Sequence, residues 1–233
     1  MPEQLTLYTA KICPYAHRVE IALKESGLAH NRYEIDLKNK PVPAITYGGP
    51  LVSPDEPSPE SEKLAESLVL LEFIADLSGS SSVLPHDPLL RAKARFFIEV
   101  FSSKAIPGWY ASVNRGESTE AILNGIDAIQ RLLPAEGYAI GEWSIADAAV
   151  TPFLARADLA FKNDLGAYNK GEGKKAYEIL QTDPKFQRFR KYFTDVTSRK
   201  SFSETFDPES ILSSWRVRYP PLREKRLADG SKI

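Results

Sequence analysis

One thiol marks the place where this chain can do chemistry, because Cys13 is the only cysteine among its 233 residues. It lies in the segment Cys13-Pro14-Tyr15-Ala16. Apolar residues recur at helical spacing after Pro14, and proline is favoured in the first turn of a helix. The thiol is therefore predicted at a helix N-terminus, where unpaired N–H groups favour a thiolate. A small buried apolar side chain is the other interpretation of a lone cysteine.

The spacing around the thiol excludes one kind of redox chemistry. Because position 16 is alanine, no Cys-x-x-Cys pair can resolve a mixed disulfide within the chain. Disulfide exchange at Cys13 must then take its second thiol from solution, and glutathione at its cytosolic abundance is the obvious donor. A lone cysteine also excludes intramolecular disulfides and cysteine-rich metal sites, and it is typical of a reducing compartment.

Two pairs of residues farther along the chain are candidates for ligand contacts. Val42-Pro43 precedes a predicted strand, and a cis proline there would free the preceding backbone to pair with a peptide-like ligand. Glu66-Ser67 opens a predicted helix, where the Ser67 hydroxyl can cap the helix and free N–H groups can receive a carboxylate. Both pairs also have simpler interpretations, an ordinary trans peptide bond and a plain cap.

Aromatic residues suggest a site for a second ligand. Tyr15 lies beside the thiol, and Trp109 and Tyr110 follow Pro107. These side chains can line an apolar cleft for an aromatic co-substrate. Ordinary core packing explains them equally well, and the sequence leaves both interpretations open.

The remaining polar motifs are interpreted as structural. Ser144 and Asp147 have the spacing of an N-capping pair, in which the acid reaches back to the cap residue. His17, His30 and His86 are scattered without metal-ligand spacing. We therefore expect no metal site, and we expect these histidines to be surface residues.

The pattern of apolar residues changes along the chain. Alternation predicts strands at 5–8, 32–36, 44–47 and 63–65, and helical spacing predicts helices at 14–26 and 68–77. After a serine-rich stretch, it predicts helices only, from Pro88 toward a kink or end at Pro107, then at 119–133, 145–161, 174–180, 184–196 and 208–215. From Leu222 onward the chain is polar and is expected to fray.

These elements predict two domains. Residues 1–78 form an α/β domain, 79–87 a linker, 88–221 an all-α domain and 222–233 a polar tail. The 30 basic and 31 acidic residues leave a formal charge of -1, so neither nucleic acid nor anionic lipid is an expected partner.

The apolar runs and the terminal residues of the chain indicate where the protein is expected in the cell. The N-terminus lacks the pattern of a secretory leader, and no apolar run approaches the roughly 18 residues of a membrane span. We expect a cytoplasmic protein with no membrane contact. Ser231-Lys232-Ile233 differs by one residue from a peroxisomal address, so peroxisomal delivery is the alternative.

Several separated motifs, in order along the chain, resemble the omega class of the glutathione transferase family from Leu5 to about Trp215. They are the active-site turn Cys13-Pro14-Tyr15-Ala16-His17-Arg18, the segment Leu37-Lys38-Asn39-Lys40-Pro41, the pairs Val42-Pro43 and Glu66-Ser67, and Gly141 with Ser144-Ile145-Ala146-Asp147. The residues within these motifs resemble those of fungal members. The resemblance implies a thioredoxin-like N-terminal domain followed by an all-α helical domain, usually as a homodimer.

The same resemblance implies a chemistry. Cys13 forms a mixed disulfide with glutathione, Lys40, Val42 and Pro43 contact its backbone and cysteinyl-glycine end, and Glu66 and Ser67 hold its γ-glutamyl end. The implied activity is thiol transfer or reduction, including removal of glutathione from adducts and dehydroascorbate-type reduction, with glutathione as co-substrate and no bound cofactor. The alternatives are a protein that binds aromatic or polyphenolic compounds with incidental turnover, and an inactive regulatory relative.

One segment departs from the family pattern. A single residue separates Lys40 from Val42, where the family usually carries a second helix of a dozen or so residues. The segment is either a true deletion or a place where the printed sequence lacks a loop. A direct crossing is feasible, because six extended residues reach roughly 20 Å and the strand ends to be joined lie about 10 Å apart.

Overall fold

A four-stranded sheet opens the structure, a computed structural model that describes residues 4–37, 44–50, 52–53, 55–80, 83–228 and 230. The strands are β1 (Leu5–Thr9), β2 (Asn31–Glu34), β3 (Ile45–Tyr47) and β4 (Glu62–Leu64), in the order β2-β1-β3-β4. β1 pairs parallel with β2 and antiparallel with β3, and β3 pairs antiparallel with β4. β1 is buried along its whole length, as expected of a central strand.

Two helices pack on this sheet. α1 (Pro14–Ser26) begins with Pro14 in its first turn and ends at Gly27, whose φ of 69° places it in the left-handed region that glycine adopts freely. α2 (Ser67–Ser78) ends in the same way at Gly79. Strands and helices in this order form the thioredoxin-like fold that the family resemblance implies.

The crossing from β2 to β3 is short. Six residues, 38–43, join Leu37 to Ala44, and β2 and β3 lie on opposite sides of β1. Lys40, Val42 and Pro43 fall in this segment and lie outside the described residues. Their predicted roles, and the choice between a deletion and a missing loop, stay predictions.

Every described element after α2 is helical, apart from isolated bridges between Tyr138 and Gly141 and between Ile140 and Glu142. The helices are α3 (Pro88–Val100), α4 (Ile106–Trp109), α5 (Glu120–Gln130), α6 (Ile145–Lys162), α7 (Glu172–Thr182), α8 (Gln187–Thr197), α9 (Lys200–Ser203) and α10 (Pro208–Ala228). A 3₁₀ turn, Pro184–Phe186, precedes α8. The predicted start of α3 is confirmed, since Asp87 Oδ1 accepts a hydrogen bond from the Leu90 N–H at 2.8 Å.

Of the predicted kink or end of the helix at Pro107, the end is wrong. π-helical turns at Phe101–Ala105 and Tyr110–Asn114 flank α4, so the chain stays helical from Pro88 to Asn114. The change of register before Pro107 accommodates the ring and the missing N–H of proline.

The prediction of a frayed tail from Leu222 is also wrong, at least as far as residue 228. α10 continues to Ala228 through Pro220 and Pro221. Arg223 donates hydrogen bonds to the backbone carbonyls of Asp164 and Gly166, and Arg226 donates to that of Ala167. These contacts hold the last turns of α10 against the loop that follows α6.

Two glycines let α5 approach the preceding helical segment closely. A Cβ on Gly108 would lie 2.6 Å from the carbonyl carbon of Ala121, and one on Gly125 would lie 2.5 Å from Cα of Ala105. Both distances are shorter than a side chain tolerates, so only glycine fits this crossing.

The sheet-bearing part and the helical part share one buried apolar core. Charged contacts add to it at α1, where Glu25 forms a two-pronged ion pair with Arg199 at 2.6 Å for both bonds. Lys11 also pairs with Asp207 at 2.9 Å. These two ion pairs therefore link α1 and the turn before it to the helical part of the chain.

Within the described part of the chain, none of the helices has the length and apolar character needed to cross a bilayer.

Candidate active site

The thiol caps its own helix. Cys13 is the N-cap of α1, with extended backbone angles of φ -83° and ψ 115°, and its Sγ accepts a hydrogen bond from the Ala16 N–H at 3.5 Å. The side chain is half-buried and free of disulfide bonding. The Ala16 N–H is thus placed to hydrogen-bond the sulfur that attacks disulfides. The predicted position of the thiol, at the N-terminus of a helix, is confirmed.

A cavity of about 400 Å³ opens beside Cys13. Glu66 and Ser67 line it together with the thiol, so the structure brings these three predicted site residues together. Leu37 and Ala44, which flank the short crossing, also line it. The described chain on either side of residues 38–43 therefore ends at the cavity. The volume is that of a small-molecule site.

Glu66 and Ser67 differ from their predicted geometry. Glu66 has a φ of 67°, a left-handed conformation that is strained for a residue with a side chain. Ser67 is the first residue of α2, and no side chain caps that helix, so the prediction that the Ser67 hydroxyl is the cap is wrong. Its Oγ instead accepts a hydrogen bond from Arg18 Nη1 at 3.2 Å. Within the described residues, no side chain accepts a hydrogen bond from the start of α2.

Arg18 is a site residue to which the sequence assigned no role. It is 2% exposed, and its Nε donates to the carbonyl of Ala149 on α6 at 2.6 Å. Its guanidinium carbon lies 4.7 Å from the ring centre of Phe153 and 5.2 Å from that of Tyr15. Burial lowers the pKa of Arg18 to about 10. In the sequence, a charged residue on the apolar face of α1 was the feature that could have indicated a buried arginine.

The expectation that His17 is a surface residue is wrong. The ring is 2% exposed and stacks against Phe206, with 5.8 Å between ring centres. Arg156 Nη1 lies 3.2 Å from Nδ1, and Thr205 Oγ1 lies 2.9 Å from Nε2. An arginine only donates, so Nδ1 accepts and Nε2 carries the hydrogen. Burial and the charge of Arg156 hold the pKa of His17 well below 6.5, which keeps the ring neutral.

Arg156 fixes the turn that leads into the thiol. It is 1% exposed on α6, and it donates to the carbonyls of Lys11 at 2.8 Å and Ile12 at 3.3 Å. These are the two residues before Cys13. No local sequence pattern indicates this contact, since Arg156 and Lys11 are 145 positions apart.

The predicted aromatic cleft is only partly assembled. Tyr15 and Tyr110 are each 37% exposed, and the Tyr110 hydroxyl donates to that of Tyr15 at 3.3 Å. Trp109 is 6% exposed and packs against Trp215, with 5.9 Å between ring centres. Trp109 is therefore a core residue, whereas the two tyrosines form an accessible aromatic pair beside the thiol.

Ser144 and Asp147 form the predicted capping box at the start of α6. Both residues are buried, and Asp147 accepts hydrogen bonds from Ser144 N, Ala139 N and the Tyr192 hydroxyl, each at 2.9 Å. Burial raises the pKa of Asp147 to about 6. Among the described residues, no group of three or more His, Cys, Asp or Glu side chains is placed to hold a metal ion.

Comparison with known proteins shows relatives of similar sequence and fold. Residues 7–82 match the family described as "Glutathione S-transferase, N-terminal domain". The crystal structure of glutathione transferase Omega 1C from Trametes versicolor is 51% identical, covers 95% of this chain and 98% of its own, and superposes with a TM-score of 0.91. Omega 2S from the same fungus, solved in complex with 2,4-dihydroxybenzophenone, is 38% identical with a TM-score of 0.86, and covers 93% of this chain and 100% of its own.

A curated relative gives a shorter match. A probable glutathione S-transferase from Solanum tuberosum is 33% identical over 118 residues, which are 50% of this chain, and the match spans 54% of the length of that protein. The whole-length similarity to the two Trametes structures is what decides the family. The chain belongs to the glutathione transferase family and, within it, to the omega class.

Proposed function

We propose that this glutathione transferase is a glutathione-dependent thiol transferase that acts through a mixed disulfide between Cys13 and glutathione. The proposal depends above all on one observation, the lone cysteine at the N-cap of α1 on the wall of the cavity that Glu66 and Ser67 also line. A thiolate in that place can attack the glutathionyl sulfur of a mixed disulfide bound in the cavity.

The reaction balances in two exchanges. The Cys13 thiolate attacks the glutathionyl sulfur of a mixed disulfide RS–SG, which forms Cys13–S–SG and releases RS⁻ to take a proton from water. A second glutathione thiolate then attacks the glutathionyl sulfur, which forms oxidised glutathione and regenerates the Cys13 thiolate. Glutathione is the only co-substrate, and no bound cofactor takes part. Dehydroascorbate is a further acceptor for the same two electrons.

Glutathione is placed by both sides of the cavity in this proposal. Glu66 and Ser67 hold the γ-glutamyl end beside the uncapped N-terminus of α2. Lys40, Val42 and Pro43 hold the backbone and the cysteinyl-glycine end. Support for the second group comes from Leu37 and Ala44, the residues on either side of 38–43, because both line the cavity.

Conjugation of glutathione to electrophiles is expected to be a minor activity. Conjugation needs a hydroxyl that activates the thiolate of glutathione itself, whereas a cysteine in that position is the nucleophile that takes the glutathionyl group from a disulfide. Cys13→Ser is therefore expected to lower thiol transfer by at least about 100-fold and to raise conjugation.

The test combines turnover with adduct mass. Glutathione-dependent reduction of 2-hydroxyethyl disulfide and of dehydroascorbate is measured for wild type and Cys13→Ser, and intact mass is recorded after incubation with oxidised glutathione. We expect activity and one glutathione adduct in the wild type only. A wild type that binds S-methylglutathione but shows neither activity nor adduct would contradict the proposal.

Aromatic or electrophilic compounds are the proposed second ligands, at the Tyr15–Tyr110 pair. The pair is accessible, and the Omega 2S relative was solved with 2,4-dihydroxybenzophenone. In the same experiment, Cys13→Ser is expected to bind this compound as wild type does. If the wild type binds it tightly but has no thiol-transfer activity, the alternative of a binding protein for aromatic compounds replaces the enzyme.

A homodimer is the proposed assembly. Val69 on α2 and Leu89 and Phe96 on α3 are 59%, 64% and 59% exposed. The two helices are joined beside these side chains by Glu72 and Arg95, whose oxygen and nitrogen atoms lie 2.7 Å apart. Exposed apolar side chains on two helices that an ion pair connects are suited to an interface with a second copy.

A further inference from the structure

A second cavity lies inside the helical part of the chain, where α5, α6, α7 and α8 meet. Its volume is about 60 Å³, and it shares no lining residue with the cavity beside Cys13. Most of its wall is apolar and is formed by Ile126, Leu154, Ala157, Leu180, Phe189 and Phe193. Asp158 on α6 places an acidic side chain in this wall.

The carboxyl group of Asp158 has no hydrogen-bond or ion-pair partner among the described residues. Burial raises its pKa, and the charge of Lys162, one turn farther along α6, opposes this shift without forming an ion pair. Arg190 also lines the cavity, but its Nη1 donates to the carbonyls of Leu180 and Asp183. A partly buried carboxylate without a partner is costly, so a group that pairs with it gains free energy.

Two aromatic rings lie in the same wall. Phe189 and Phe193 are one turn apart on α8, and their rings stack with 5.8 Å between ring centres. The face of an aromatic ring is negative and attracts a cation within about 6 Å of its centre. A carboxylate and aromatic rings in one apolar cavity are suited to an organic ammonium ion.

Other classes of small ligand fit this wall less well. An anion would be repelled by the carboxylate, and a neutral apolar molecule would leave the carboxylate desolvated and unpaired. A metal ion needs several protein ligands, and the described chain places no three His, Cys, Asp or Glu side chains together for one.

The volume limits the size of the ligand. At roughly 10–15 Å³ for each water-sized group, the cavity of about 60 Å³ holds about four to six non-hydrogen atoms. One nitrogen and a short alkyl chain fill this space.

We propose that this cavity binds the ammonium group of a short alkylamine, with the Asp158 carboxylate as its counter-charge and the rings of Phe189 and Phe193 against its alkyl chain. An ammonium group only donates hydrogen bonds and an ionised carboxylate only accepts them, so the two groups satisfy each other. The inference goes beyond the proposed function, because the site requires neither Cys13 nor glutathione.

The experiment titrates the protein with three probes of similar size. n-Propylammonium carries the positive charge, n-propanol is its neutral counterpart, and propionate carries the opposite charge. Binding is followed through the backbone amide resonances of α6 and α8 by two-dimensional NMR at neutral pH, with ionic strength held constant by sodium chloride. The variants are Asp158→Asn and, as the matched control, Asp195→Asn, because Asp195 is an acid of α8 that does not line the cavity.

We expect saturable shifts with n-propylammonium only, with half-saturation at about 1–10 mM for so small a ligand. Asp158→Asn should weaken this binding by at least about 10-fold, because the ammonium group loses its counter-charge. Asp195→Asn should bind n-propylammonium as wild type does.

Three results would each overturn the inference: no saturable shift with n-propylammonium, equal shifts with n-propanol, or equal binding by wild type and Asp158→Asn. If Asp158→Asn does not fold, the wild-type titrations still decide, because the charged and the neutral probe differ only in the group that would pair with the carboxylate.

Discussion

At the scale of single residues, the thiol is positioned by an arginine from another part of the chain. Arg156 reaches from α6 to the carbonyls of Lys11 and Ile12. Its own position is set by His17, which is neutral and accepts a hydrogen bond from it. A series of hydrogen bonds, from Thr205 through His17 and Arg156, thus connects the segment before α10 with the turn that carries the reactive thiol.

Removing this contact should affect the reaction more than ligand binding. For Arg156→Met we expect kcat/KM for disulfide reduction to fall by about 10- to 100-fold, because the turn that aims Cys13 loses two hydrogen bonds. Binding of S-methylglutathione should change by less than about 3-fold. Alkylation of Cys13 by iodoacetamide should slow in parallel with turnover.

Arg190→Met is the matched control, since Arg190 also donates to two backbone carbonyls, those of Leu180 and Asp183, within the helical part. Its turnover and alkylation rates should equal those of wild type. Equal losses in the two variants would mean that Arg156 stabilises the fold generally and does not position the thiol.

At the scale of secondary-structure elements, α6 is the helix that supplies the site with its partners. It contributes Phe153 and Arg156 and the carbonyl of Ala149. Its start is fixed by Asp147, a fully buried carboxylate that accepts three hydrogen bonds. The stability of this cap is therefore expected to influence the site from a distance.

The ionisation of Asp147 gives a pH dependence with a definite sign. Burial raises its pKa from 3.8 to about 6, so the folded state holds the proton more tightly than the unfolded state. The contribution to stability is fully present below pH 3.8 and is lost as the pH rises through about 6. Relative to Asp147→Asn, which does not titrate, wild type should lose about 2 kcal/mol between pH 4 and pH 7.

The measurement is urea unfolding of both proteins across this pH range. All other titrating groups are shared, so the difference between the two free energies of unfolding isolates residue 147. Parallel curves would show that the carboxyl titrates near its ordinary value.

How far the sequence predicts these elements depends on the range of the interaction. The Cys13 turn, the Asp87-Pro88 start of α3 and the Ser144–Asp147 capping box were predictable, because each depends on residues three or four positions apart. The contacts of Arg18 and Arg156 were not, because their partners on the other part of the chain are 131 and 145 positions away. Ser67 was misjudged for the same reason: a long-range hydrogen bond from Arg18 competes with a local cap.

At the scale of the whole molecule, the apolar surface of α2 and α3 is the feature that a single chain leaves unexplained. Leu89 and Phe96 are seven positions apart on α3, so they lie on one face of the helix. Phe96 neighbours Arg95, which the ion pair with Glu72 holds against α2. The two helices are thus connected before any partner arrives, and preorganisation of this kind lowers the cost of association.

Phe96→Glu is therefore expected to produce a monomer. A charge at an apolar interface between identical chains meets its own copy or is buried without a partner, and dimer affinity should fall by at least about 100-fold. Light scattering coupled to size-exclusion chromatography gives the mass. Val217→Glu on α10, where the native residue is 77% exposed, should leave the mass unchanged; a wild type that is monomeric at all concentrations would exclude the dimer.

Alanine at position 16 also governs what happens to the protein under oxidant stress. A sulfenic acid formed at Cys13 has no neighbouring thiol with which to condense, because the chain has no other cysteine. Only a thiol from outside can cap it before further oxidation makes the damage permanent. The survival of the protein in peroxide is thus tied to the supply of free glutathione around it, and each lost sulfur removes one whole active site.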